Sequence, residues 1–133
     1  MKILLFVILG FVLADADDTS ALTDMSDDWI HLGTRKVDYK VDRDHIPITL
    51  TEGRFSALKF TVVDGDINLR KCVITFGDES KQTVTLRKRI KEGSSSRKIN
   101  LRGAKRIIKH VEFVYDMKGI KGKKAKLKLY GLK

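Results

Sequence analysis

From Trp29 on, apolar residues fall on every second position in almost every run between turns. That period limits the fold more than any other feature. Val37, Tyr39 and Val41 alternate with charges, and Leu58, Phe60 and Val62 alternate with Lys59 and Thr61. Val111, Phe113 and Tyr115 alternate with His110, Glu112 and Val114, and Ala125, Leu127 and Leu129 with Lys124, Lys126 and Lys128. Successive side chains of a strand point to opposite faces, so strict alternation means one face in a core and one in water. No segment sustains a helical stripe; GAKRIIKH, residues 103–110, offers at most one turn.

Turn signals divide these runs: Glu52-Gly53, Asp64-Gly65-Asp66, Gly77-Asp78, Gly93 to Ser96, Arg102-Gly103 and Lys118 to Gly122. The spacing predicts an all-β fold, an antiparallel β-sandwich or jelly roll of about seven to nine strands. Within INLRKCVITF, residues 67–76, Ile67 and Leu69 keep one phase and Cys72, Ile74 and Phe76 another, which predicts a β-bulge at Arg70-Lys71. Asp64-Gly65-Asp66 reads as a tight hairpin turn. The lysine-rich last strand reads as an edge, where charge blocks edge-to-edge pairing.

The chain opens MKILLFVILGFVLADADD. A lysine, the apolar run Ile3–Leu13 and Ala14-Asp15-Ala16 have the pattern of a secretory signal peptide, with cleavage expected after Ala16. The run is too short for a membrane span, which needs about 20 residues. Residues 17–28, DDTSALTDMSDD, hold five acids and no base and read as an acidic flexible leader. The β-sandwich domain is expected over 29–133, with an exported, periplasmic or extracellular location. Cys72 is the one cysteine, so no intramolecular disulfide forms, and its alternation with Ile74 and Phe76 reads as a small buried hydrophobe.

Three segments, WIHLGTRKVDYKVDRDHIPI, ALKFTVVDGDINLRKCVITFGD and SSSRKINLRGAKRIIKHVEFVYD, resemble a group of small exported bacterial β-sandwich proteins of unknown function. The resemblance covers nearly the whole domain. It implies a jelly-roll type of fold and a location outside the cytosol, and it supplies no functional residues.

Residues 36–45, KVDYKVDRDH, invite a metal-binding reading. In one extended strand, Asp38, Asp42 and Asp44 share a face. Asp38 and Asp42 then lie roughly 13 Å apart, too far to share a calcium ion bound at about 2.3–2.6 Å. Asp42 and Asp44, about 7 Å apart, remain the candidate calcium pair, with Asp64 and Asp66 as further ligands. The competing reading is a solvated strand whose aspartates pair with Lys40 and Arg43. His31, His45 and His110 fit no zinc spacing, no nucleophile elbow appears, and no catalytic residue is assigned, so the chain is read as a non-enzyme without a cofactor.

Charge points to the partner. From Trp29 on, 26 basic and 11 acidic residues leave a net charge of +15. The basic runs are 86–91, 102–110 and 118–133, and on the last of them Lys124, Lys126 and Lys128 line one face with Tyr130 next in phase. These four are the candidate ligand-binding residues, for an anionic envelope component or an extracellular polymer. Export and thin aromatic interleaving argue against nucleic acid. Two alternatives stand beside this reading: a carbohydrate-binding module using Trp29 and Tyr130, and a structural envelope protein whose charge serves solubility. Trp29 is otherwise expected to close the core with Ile30 and Leu32.

Overall fold

The computed structural model describes residues 29–38, 43–122 and 124–133. The signal-peptide and leader readings, Tyr39, Val41 and Asp42 lie outside the described residues. The strands are β1 (Trp29–Asp38), β2 (Arg43–Pro47), β3 (Arg54–Phe55), β4 (Ala57–Val63), β5 (Ile67–Phe76), β6 (Lys81–Ile90), β7 (Ile99–Asn100), β8 (Arg106–Asp116) and β9 (Lys124–Leu132). A single 3-10 turn, Leu50–Glu52, joins β2 to β3. Two antiparallel sheets pack face to face: a four-stranded sheet in the order β1-β9-β4-β7, and a five-stranded sheet in the order β2-β8-β5-β6 with β3 also paired to β8. The chain is therefore an all-β sandwich, as the alternation predicts. Among the described residues, no helix is long and apolar enough to cross a membrane.

The core lies between the sheets. Leu58, Phe60 and Val62 of β4 and Leu127 and Leu129 of β9 meet Cys72 and Ile74 of β5 and Val111 and Phe113 of β8, all of them fully buried. Phe60 and Phe113 touch edge to face across the sheets at 6.0 Å between centroids. Each such side chain contributes about 1.5–3 kcal/mol by leaving water. Gly131 completes this layer: a Cβ there would lie 2.6 Å from Cδ1 of Phe55, so the missing side chain is the space that the buried ring occupies.

The bulge is where the phase change places it. The register of β5 shifts between Leu69 and Lys71 against both β6 and β8, and Cys72 resumes the inward phase. Burial pushes the Cys72 thiol up to about 12, so it stays protonated.

Four expectations change. Residues 36–45 are not one strand, because β1 ends at Asp38 against β9 and β2 begins at Arg43 against β8, in opposite sheets. Asp64-Gly65-Asp66 is not a hairpin turn, because it carries the chain from β4 in one sheet to β5 in the other. The lysine strand β9 is not an edge; it lies between β1 and β4. Residues 103–110 contain no helical turn, since β8 starts at Arg106.

Candidate polyanion-binding surface

The four predicted residues fall on one ridge. Ala125, Leu127, Leu129 and Gly131 of β9 point inward and are buried, so Lys124, Lys126, Lys128 and Tyr130 point outward from the four-stranded sheet. Residues two apart on a strand are about 7 Å apart, so the three lysines form a row with that spacing.

The central position of β9 adds neighbours that an edge would lack. Lys126 stands between Lys36 of β1 and Val63 of β4, Lys128 between Thr34 and Thr61, and Tyr130 between His31 and Lys59. Tyr130 and His31 touch at 5.5 Å between ring centroids, and His31 Nε2 is hydrogen-bonded to Thr34 Oγ1 at 2.7 Å. Lys59 Nζ sits 4.4 Å from the centre of the Trp29 ring. Trp29 thus belongs to the outer surface, half-buried beneath a lysine, while Ile30 and Leu32 pack against the core. That corrects its expected role in closing the core. The bulge between His31 and Gly33 shifts the phase of β1, so Trp29 and His31 share the outer face with Thr34 and Lys36.

Lys126 pairs with Asp64 at 3.4 Å. Among the described residues Lys128 has no carboxylate partner, and Asp38 stands opposite Lys124 in the register. At this end of the ridge an open cleft of about 360 Å³ is lined by Lys36, Val37, Asp64, Lys124, Ala125 and Lys126. Gly65 holds the turn against the cleft. Its φ is +145°, and a Cβ would fall 2.0 Å from the Lys124 carbonyl oxygen. Only glycine permits that backbone approach. The result is a cationic row with aromatic rings at one end and a clamped turn at the other.

The calcium pair is not assembled by the described residues. Asp42 lies outside them. Asp44 accepts a hydrogen bond from the His45 backbone N–H at 2.8 Å and lies 3.8 Å from Arg35. The suggested further ligands are committed elsewhere: Asp64 to Lys126, and Asp66 to Arg89 at 3.1 Å and to the Glu92 backbone N–H at 2.9 Å. That backbone hydrogen bond is the main reason the Asp66 carboxyl lies below its ordinary range. On the five-stranded sheet β2 brings His45 to His110, with ring centroids 6.1 Å apart, while Glu112 pairs with Arg43 at 3.7 Å. Among the described residues, no group of three or more His, Cys, Asp or Glu side chains could hold a metal ion.

The other basic runs divide. Arg106 meets Asp78 at 3.3 Å and stacks over the Phe76 ring, and Lys109 pairs with Glu79. Run 102–110 is therefore partly neutralised. Run 86–91 reaches the far side of the sandwich, beside the β5 bulge, where Arg87, Lys88 and Arg89 line a second cleft. The sequence shows that run as basic but does not show the residues that surround it.

A family model described as "Domain of unknown function (DUF2541)" matches residues 3–131. No curated protein matches the chain. Among solved structures, one from "Structural and functional characterization of Pseudomonas aeruginosa AlgX" aligns with probability 1.00, a TM-score of 0.41 and 15% sequence identity. That alignment covers 72% of this chain and 25% of the other.

Proposed function

The chain belongs to the DUF2541 family, and we propose that it is an exported, non-enzymatic module that binds an acidic polysaccharide along the β9 ridge. The observation that carries this reading is the row Lys124, Lys126 and Lys128 in the middle of a sheet, joined across strands by Lys36 and Lys59. Carboxylates or sulfates along an extended glycan can meet such a row in sequence. Tyr130 and His31 add flat surfaces for the apolar faces of sugar rings. Sequence 1–16 supports export, which would bring the domain to envelope or extracellular polymers.

Neutral carbohydrate recognition is the second reading, and it needs Trp29 as a platform. Lys59 lies over that ring, which favours a charged ligand at the same place. Retention on immobilised heparin and on polygalacturonate, each measured against salt, tests the proposal. Retention should fall steeply as salt screens the lysines, and Lys124→Glu, Lys126→Glu and Lys128→Glu together should abolish it. Retention unchanged in that triple variant overturns the reading. Salt-independent binding lost in Trp29→Ala selects neutral sugar, and binding to none of these polymers leaves the structural envelope protein.

A further inference from the structure

We infer that the corner formed by the β5 bulge and the end of β6 is a second anion site, built for a phosphate group rather than for a carboxylate. The cleft there has a volume of about 440 Å³, and its lining includes Arg70, Arg87, Lys88, Arg89 and Lys118 with a single carboxylate, Asp116. These cations come from distant parts of the chain. Arg70 is the residue at which β5 slips against both neighbours. Arg87 lies opposite on β6 with a left-handed backbone, φ 44°. Lys118 follows β8.

Two of the arginines are held from behind. Arg70 Nη1 donates to Asp116 at 2.7 Å, and Asp116 also accepts from Asn68 Nδ2 at 2.8 Å and from the Lys118 backbone N–H at 3.0 Å. Arg89 Nη2 donates to Asp66 at 3.1 Å, and Asp66 accepts from the Glu92 N–H. A guanidinium has five N–H donors, so each arginine is oriented through one nitrogen and keeps donors for a ligand. Arg87, Lys88 and Lys118 have no carboxylate partner among the described residues. Oriented guanidinium forks match the oxygens of a tetrahedral dianion, and the excess of cations suits its double charge. The cleft has no aromatic lining residue, which separates it from the β9 ridge. A phosphorylated glycan, a lipid phosphate or a free phosphate would present the same group.

The test titrates the protein with inorganic pyrophosphate, follows backbone amide and arginine Nε–H signals by NMR, and uses acetate at matched ionic strength as control. Saturable shifts centred on residues 69–71 and 87–89, not reproduced by acetate, are expected. Arg87→Gln with Lys88→Gln should weaken binding about tenfold, for the loss of charge-assisted hydrogen bonds. Lys118→Gln, in a turn outside the strands, should weaken it without touching the bulge. Shifts no larger than those with acetate, or affinity unaltered in both variants, would overturn the site. Vesicles containing a lipid phosphomonoester, compared with soluble phosphorylated glycan, separate the sources of the group. Heparin retention by the Arg87→Gln, Lys88→Gln protein should remain, so failure here is distinct from failure of the β9 ridge.

Discussion

The β9 ridge and the bulge corner carry the same sign of charge on differently built supports. The ridge uses lysines whose alternate neighbours are fully buried, and its far turn is fixed by backbone contact at Gly65. The corner uses arginines on a slipped register, held by the carboxylates of Asp66 and Asp116. One surface is positioned by packing and the other by hydrogen bonds between charged groups. The ridge presents point charges in a row beside aromatic rings, which suits a chain. The corner presents converging forks, which suits one compact anion.

The two largest expected effects break the packing side of this contrast. Gly65→Ala should cost about 3 kcal/mol, because its Cβ meets a backbone carbonyl that has little freedom to yield. Urea unfolding measures it. Leu129→Ala, beneath the ridge, should cost about 2–5 kcal/mol by leaving a cavity, and it should not alter pyrophosphate binding at the corner. Charge reversal at Lys124, Lys126 and Lys128 comes next. It should remove heparin retention while changing stability by about 1 kcal/mol, since Lys124 is exposed, Lys126 and Lys128 are half-buried, and the Lys126–Asp64 pair is a surface one. If the triple variant instead loses pyrophosphate binding, the two surfaces are one electrostatic field and the contrast fails.

The legible parts of the fold were those decided locally. Alternation along β9 gave the outward phase of Lys124, Lys126, Lys128 and Tyr130, because burial on one strand face is written in its own sequence. The slip at Arg70-Lys71 was legible for the same reason. Pairing was not. His31, Lys36 and Lys59 reach the ridge through strand neighbours distant in sequence, and no local signal names the partner strand. The same gap explains Asp64-Gly65-Asp66. Its turn chemistry serves a hairpin or a crossing between sheets equally well, and the pairing of β5 with β8 decides. Val37, Tyr39 and Val41 alternate with charges, but Arg43 and His45 interrupt that phase and Ile46 takes the other, and the strands on either side take partners in opposite sheets. The corner combines both failures: run 86–91 was visibly basic, but Arg70, Asp116 and Lys118 join it only through the sheet.

The smallest effect tests whether hydrogen bonds between charged groups do position the corner. The hydrogen bond from Asn68, helped by Arg70 and the Lys118 N–H, holds the Asp116 carboxyl below its ordinary range. A carboxyl with a lower pKa folded than unfolded contributes stability that is fully present above the unfolded value, about 3.9. The contribution is lost as pH falls through the folded value. Stability should therefore be level above about pH 5 and decline below about pH 4. Asp116→Asn should flatten part of that decline, with a change under about 1 kcal/mol at neutral pH, since Arg70 is half exposed. Gly65→Ala should lower the whole curve and keep the part of the acid slope that Asp116→Asn removes. Thermal melts between pH 2 and 8 (about that range spans the carboxylates) compare the two variants. An acid slope that Asp116→Asn leaves intact would mean that the hydrogen bonds from Asn68, Arg70 and the Lys118 N–H to Asp116 add nothing to stability, and the corner would then be positioned by packing, as the ridge is.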